Sequence, residues 1–315
     1  MITQKEYAAR RVKVLAALDG SAGLVFAGES NESLEITWRP HKHFEYLSGI
    51  TNEPDAVLLF DPTHPVPARR EVLFLSSRDP EKEQWDGLRK SLGSELRNET
   101  GFATVLRTGS LPMVLSDIAS RCKKFATLMP NASVEQGVSA DLALFQKIST
   151  RTVDCKISDL SSTIPLLRSV KSESEIETIQ EAVNMTASGF ANAMSFVQHG
   201  VNEFQVQATL EHGYAMAGGR GSAFPPIVGG GLNSTVLHYK ENDQDLVDGD
   251  LVCIDSGAFF RGYGADISRT IPVSGKFSER QKEIYEIVLG AEEAAIGAVK
   301  EGVTLAELDA IARAI

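Results

Sequence analysis

Residues 248–273 read DGDLVCIDSGAFFRGYGADISRTIPV and predict a hairpin of two strands. An apolar run ends directly in Asp255, and two glycines farther along favour a turn. A second strand is predicted to begin near Ala265. If the chain folds back near residues 260–261, Asp255 lies opposite or diagonal to Asp266 across an antiparallel pair.

Two carboxylates this close would repel each other in a dry site. Side chains that face each other across a strand pair lie about 5 Å apart at Cβ. A divalent cation between Asp255 and Asp266 would relieve the repulsion, and hard oxygen ligands suit Mn, Mg, Zn or Co. The alternative is an ordinary hairpin with two solvated aspartates, because the spacing alone is a weak signal.

Composition limits the classes of protein that this chain can represent. It has 315 residues, a formal net charge of −11 and a pI near 5.1, which argues against binding to nucleic acid or to anionic membranes. No stretch of about 18 apolar residues occurs, so we expect no membrane span. The three cysteines are far apart and show no C-x-x-C spacing, which predicts reduced thiols in a cytoplasmic protein.

The pattern of elements changes once along the chain. Short strands alternate with helices over residues 1–160, which predicts an α/β domain, whereas residues 166–315 are richer in long helices. Residues 38–48 are expected to be loop-like. Ser172 and Glu175 fit a capping box at the start of a long helix.

His238 is the histidine that we expect to join the aspartates. It lies shortly before the turn that leads into the hairpin and could reach the mouth of the same site from a neighbouring strand. The alternative is an ordinary surface or core histidine. The other five histidines show no ligand spacing with the aspartates.

Four stretches carry a more specific signal. They are residues 39–62 (RPHKHFEYLSGITNEPDAVLLFDP), 167–182 (LRSVKSESEIETIQEA), 223–239 (AFPPIVGGGLNSTVLHY) and 248–289, which extends the hairpin with SGKFSERQKEIYEIVL. Together they resemble the Xaa-Pro aminopeptidases (aminopeptidase P), a family of pita-bread metallopeptidases. The resemblance covers nearly the whole chain. It implies a creatinase-like α/β N-terminal domain, followed by an α+β pita-bread domain.

The resemblance also implies roles for single residues. Asp255 matches a ligand of one metal ion, and Asp266 matches the carboxylate that bridges two ions. His238 matches a catalytic histidine that contacts the substrate and helps to stabilise the transition state. The usual metals of the family are two Mn ions, with Zn, Co or Mg as alternatives. The implied reaction removes the N-terminal residue from peptides that have proline in second position.

The family's remaining ligands, a histidine and two glutamates, come from the second half of the pita-bread domain. This chain stops before them, so we expect residues 166–315 to form an incomplete pita-bread domain. We also expect the chain to be truncated and inactive alone unless the missing ligands are supplied. A homo-oligomer or a complementing C-terminal half would be the partner.

Two other functions remain open at this stage. Prolidase shares the fold and takes Xaa-Pro dipeptides, and the residues that would distinguish it are mostly absent here. A non-catalytic pita-bread module that binds peptides or proteins is the second. Such modules usually lose their metal ligands, so the presence of Asp255, Asp266 and His238 argues against it.

Overall fold

The computed structural model describes residues 1–29 and 38–315. The chain divides into two compact units, residues 1–176 (unit 1) and residues 177–315 (unit 2). Each unit has buried apolar clusters of its own.

Unit 1 extends beyond residue 160, where the first domain was expected to end. The Ser172 hydroxyl donates to the Glu6 carboxylate at 2.7 Å, and this contact ties the later segment to the first helix. The compact unit ends at residue 176. The division into domains at residues 1–160 and 166–315 remains a prediction.

Among its described residues, unit 1 contains a six-stranded mixed sheet in the order β4-β3-β2-β1-β5-β6. Strands β1, β2 and β3 pair antiparallel, and the other three pairs are parallel. The strands are β1 (Ala22–Phe26), β2 (Val57–Phe60), β3 (Glu71–Leu75), β4 (Thr104–Arg107), β5 (Lys124–Thr127) and β6 (Lys156–Asp159).

Helices cover both faces of this sheet. Successive residues of β1 point to opposite sides, so Leu24 packs into one buried cluster with Phe125 and Val25 into another with Phe44. The helices of unit 1 are α1 (Gln4–Ala17), α2 (Lys42–Ser48), α3 (Pro80–Asp86), α4 (Ser94–Thr100), α5 (Leu111–Arg121), α6 (Ala140–Ser149) and α7 (Thr163–Ser169), with 3₁₀ turns at Pro67–Arg69 and Thr108–Ser110.

The prediction that residues 38–48 are loop-like is wrong for helix α2. His41 caps the helix, because its Nδ1 accepts from the His43 N–H at 3.2 Å. Gly49, with φ 69°, ends it in the left-handed conformation. The helix forms because its burial of Phe44 outweighs the weak helical signal of so short a segment.

Unit 2 contains a three-stranded antiparallel sheet in the order β11-β8-β7 and a two-stranded β9-β10 pair among its described residues. Helix α8 begins in unit 1 and continues through unit 2. The elements are α8 (Glu173–Phe196), α9 (Glu203–Met216), β7 (Ile227–Gly230), a 3₁₀ turn (Gly231–Thr235), β8 (Leu251–Ser256), β9 (Phe259–Phe260), β10 (Tyr263–Gly264), β11 (Ile267–Pro272), α10 (Glu279–Gly297) and α11 (Leu305–Arg313).

The capping box that opens α8 is confirmed. The Ser172 N–H donates to the Glu175 carboxylate at 2.9 Å, and the Glu175 N–H donates to the Ser172 hydroxyl at 3.3 Å.

Strand β8 alternates strictly between the buried core and the opposite face of the sheet. Val252 and Ile254 are completely buried and pack with Tyr214 of α9 in the apolar core of unit 2. Cys253 and Asp255 alternate with them and are only half-buried, so these two residues share the opposite face.

The predicted chain reversal is confirmed between β9 and β10. Arg261 and Gly262 both have positive φ angles, 47° and 85°, which produce a tight turn. Closer to the base of the hairpin, Gly257 permits a close approach of the two arms of the hairpin. A Cβ placed on it would lie 1.7 Å from the carbonyl oxygen of Ala265.

Strand β11 is an edge strand of the described sheet, and a groove of about 1010 Å³ lies between it and α10. Apolar side chains line this groove, including Ile267 and three residues of α10 that are exposed by 47%, 62% and 63%: Ile284, Val288 and Ile296. An apolar surface of this kind can be covered by a further polypeptide.

Within residues 1–29 and 38–315, no helix combines the length and the apolar character needed to cross a bilayer.

His43 makes unit 1 sensitive to acid. Burial, followed by the charge on His41 and Arg168, lowers the pKa of His43 to about 4, although a hydrogen bond to the Leu128 carbonyl opposes this shift. The unfolded chain takes up this proton near pH 6.5, before the folded one does. His43 therefore contributes stability above pH 6.5 that is lost as the pH falls from about 6.5 to about 4.

We expect His43→Asn to reduce the pH dependence of unit 1 stability, by up to about 3 kcal/mol between pH 7 and pH 4. Both tryptophans, Trp38 and Trp85, lie in unit 1, so their fluorescence during urea unfolding reports this unit. His64→Asn in the same unit is the matched control. Equal pH dependence in His43→Asn and the wild type would contradict the prediction.

We expect Gly257→Ala to lower the free energy of unfolding of unit 2 by about 1–3 kcal/mol, because backbone atoms must move to admit the methyl group. Circular dichroism during urea unfolding measures the loss. Gly297→Ala is the control, since its added Cβ would meet nothing within 4 Å apart from its chain neighbours and the backbone of its own helix. A Gly257→Ala protein as stable as the control would contradict the close contact between residue 257 and the Ala265 carbonyl.

Candidate metal centre

The register of the β8–β11 pair places the two aspartates on one face of the sheet. Asp255 lies opposite Ser268, and Ser256 lies opposite Ile267. Asp266 directly precedes β11 and stands two positions before Ser268, so its side chain points to the same face and lies diagonal to Asp255. Of the two predicted arrangements, the diagonal one is therefore observed.

The electrostatics of Asp255 reflect this arrangement. Burial raises the pKa of the carboxyl, and the negative charge of Asp266, together with a hydrogen bond shared with it, raises the pKa further. The Ser268 hydroxyl, which donates to Oδ1 of Asp255 at 3.0 Å, and the nearby His238 lower it. Two like charges thus face each other, with partial compensation from their neighbours.

His238 lies on the segment between the Gly231–Thr235 turn and β8. Its side chain is exposed, and it is close enough to Asp255 to influence the pKa of that carboxyl. The structure therefore brings all three predicted site residues into one part of unit 2. His199, another histidine of unit 2, instead accepts from the Asp248 N–H at 3.2 Å.

The donor chemistry fits a divalent metal ion in kind but not in number. Asp255 and Asp266 supply the carboxylate oxygens that Mn²⁺ or Mg²⁺ prefers, and a cation would offset their mutual repulsion. Across residues 1–29 and 38–315, no three His, Cys, Asp or Glu side chains gather closely enough to hold an ion. These two carboxylates would therefore form only part of a coordination shell.

Sequence reasoning missed Ser268, which fixes one oxygen of Asp255. The two-residue period of the strand could have found it, because Ser268 follows Asp266 on the same face. It also missed Glu203, a completely buried carboxylate that contacts the chain around His238. No spacing or motif connects Glu203 with that segment.

Two family models match the chain. The model described as metallopeptidase family M24 matches residues 177–315, and the model described as the N-terminal domain of aminopeptidase P matches residues 7–127. Among curated proteins, the Xaa-Pro aminopeptidase of Haemophilus influenzae is 32% identical over 309 residues. That alignment covers 94% of this chain and 67% of the relative.

Solved structures agree with these matches. Proline aminopeptidase P II from Yersinia pestis is 32% identical, with a TM-score of 0.85, and the match covers 99% of this chain and 72% of that one. Zinc-substituted Escherichia coli aminopeptidase P, in complex with product, is 29% identical with a TM-score of 0.86 and the same two coverages. These matches confirm the predicted fold, an α/β N-terminal domain followed by a pita-bread domain.

The resemblance noted in the sequence is thus confirmed by family models, by a curated relative and by solved structures. This chain belongs to the Xaa-Pro aminopeptidase (aminopeptidase P) family, whose members are metal-dependent hydrolases.

Proposed function

We propose that Asp255 and Asp266 are metal ligands, and that His238 is a catalytic residue that contacts the substrate, in a metal-dependent aminopeptidase. The enzyme removes the N-terminal residue from peptides that have proline in second position. The observation that carries the proposal is the close pair of carboxylates on β8 and beside β11, with His238 near Asp255.

Each residue has a definite task in this proposal. A divalent ion, when bound, supplies Lewis acidity toward the peptide carbonyl and the attacking water. Ser268 donates to Oδ1 of Asp255 and so holds the carboxylate in one orientation. The exposed His238 offers its imidazole to the substrate, where it can hold a hydrogen bond or a proton as charge develops.

The proposed substrate has a distinctive chemistry. The bond before proline is a tertiary amide, which has no N–H to donate, and the proline ring fixes its φ angle. Recognition of this bond therefore depends on the carbonyl oxygen, which an imidazole N–H or a metal ion can bind.

Two Mn ions are the proposed metal content of the complete site, with Zn, Co or Mg as alternatives. The carboxylate donors support a hard divalent cation without selecting among these ions. The remaining ligands are proposed to come from another polypeptide segment, in a homo-oligomer or a complementing C-terminal half. The apolar groove beside β11 and α10 supports such a contact.

The cytoplasm is the proposed location. All three cysteines of the chain, Cys122, Cys155 and Cys253, are free thiols, as is typical of a reducing compartment. The net charge of −11 supports the absence of a nucleic-acid partner.

We expect Asp255→Asn and Asp266→Asn each to weaken Mn²⁺ binding by at least about tenfold, because even outer-shell partners of a metal typically contribute roughly that much. Calorimetric titration with Mn²⁺ measures the change. Asp248→Asn, which removes an exposed carboxylate before the same hairpin, is the matched control and should bind like the wild type.

Turnover is measured as Mn²⁺-dependent release of the first residue from an Xaa-Pro-Yaa peptide. Where a partner segment restores activity, His238→Gln should lower kcat and leave Mn²⁺ affinity unchanged. Cleavage of Xaa-Pro dipeptides but not of longer peptides would favour a prolidase. Equal Mn²⁺ affinity in the wild type and all the variants would contradict the assignment of Asp255 and Asp266 as ligands.

A further inference from the structure

A completely buried carboxylate, Glu203, lies at the start of helix α9. It accepts hydrogen bonds from four donors of one chain segment, residues 230–244. The donors are the Gly230 N–H at 2.7 Å, the Asn233 side-chain amide at 3.2 Å, the Tyr239 hydroxyl at 2.8 Å and the Gln244 N–H at 3.1 Å. Four donors occupy the acceptor sites of a carboxylate, so Glu203 has no capacity left to bind a metal.

These donors lie on both sides of His238 in the sequence. Tyr239, the next residue, is only 7% exposed, whereas His238 is exposed. Adjacent Cα atoms are about 3.8 Å apart, so an anchored Tyr239 restricts the position of the His238 backbone. The imidazole thus lies in solvent, while the buried Tyr239 beside it restricts its backbone.

Tyr239 remains a hydrogen-bond donor across the working pH range. Burial, followed by its hydrogen bond with Glu203, raises the pKa of the Tyr239 hydroxyl to about 12. The Asn233 amide donates to the same hydroxyl at 3.0 Å and also to Glu203. The three side chains therefore form a closed set of mutual contacts under the 230–244 segment.

A second buried side chain holds the far end of this segment. Asn242 is 2% exposed and has a left-handed backbone, with φ 48°. Its side chain accepts from the Val228 N–H at 3.0 Å and donates to the Pro226 carbonyl at 2.9 Å and to Gln207 at 2.8 Å. The segment is therefore tied to both β7 and α9.

We propose that Glu203 is the positioning residue for His238: its carboxylate holds the 230–244 segment and, through Tyr239, sets the place of the imidazole beside Asp255. The inference deepens the proposed function, since it takes its importance from the role of His238. The position of His238 can nevertheless be measured without any activity.

The first test compares Glu203→Gln with the wild type in the 315-residue chain. Glutamine keeps only one acceptor oxygen, so either the Gly230 N–H and the Asn233 amide or the Tyr239 hydroxyl and the Gln244 N–H lose their buried acceptor. Proton and carbon NMR of the imidazole, assigned with His238→Ala, reports the environment of His238. Trypsin cleavage after the exposed Lys240, followed by mass spectrometry, reports opening of the segment.

We expect Glu203→Gln to shift the His238 resonances and to accelerate cleavage after Lys240 by about tenfold or more, as the loss of a buried hydrogen-bond partner implies. Tyr239→Phe removes a single hydroxyl and should change both measurements in the same direction by less. It also provides the test if Glu203→Gln fails to fold.

Val206→Ala is the matched control, because Val206 lies on the same helix, is completely buried in the apolar core and belongs to that core rather than to the 230–244 segment. It should lower overall stability and leave the His238 resonances in place. The inference is overturned if Glu203→Gln and Tyr239→Phe leave those resonances unshifted, or if Val206→Ala shifts them equally. A shift without any loss of peptidase activity in a complemented enzyme would retain the positioning role and refute the function of His238.

Discussion

The antiparallel pairing of β8 with β11 is the constraint on which the candidate site depends. Val252 and Ile254 must face the apolar core of unit 2, and this requirement fixes the register of β8. A slip by one residue would turn Asp255 into that core and expose the apolar residues. The same burial that stabilises the sheet therefore places a carboxylate on its other face, opposite Ser268.

Two further contacts turn this register into a site. Gly257 lets the two arms of the hairpin approach so closely that any side chain there would meet the Ala265 carbonyl. Glu203, at the start of a helix that packs into the apolar core of unit 2, holds the segment that carries His238. The acids depend on the sheet and the histidine depends on a buried hydrogen-bond network, so the two halves of the site can fail independently.

Much of this arrangement follows from the sequence. The hairpin, its reversal near residues 260–261 and the shared face of Asp255 and Asp266 follow from turn residues and strand alternation, which are local properties. The resemblance to aminopeptidase P, carried by long specific motifs, correctly identified the family. Helix α2 was not predicted, because it is short and is stabilised by packing against the rest of unit 1.

The role of Glu203 could not be predicted from the sequence for a different reason. As a first-turn acid of a capped helix it has an ordinary explanation, and its partners are 27 to 41 residues away in the chain. Such contacts have no period and no fixed spacing. They become visible only when the fold brings the chain segments together.

The most direct test of the central claim is paramagnetic broadening of NMR signals by Mn²⁺, added below stoichiometry to the labelled chain. If Asp255, Asp266 and His238 belong to one metal site, the signals of all three broaden first. The broadening should disappear in Asp255→Asn. Sharp His238 signals while other residues broaden, or broadening that persists in Asp255→Asn, would contradict the claim.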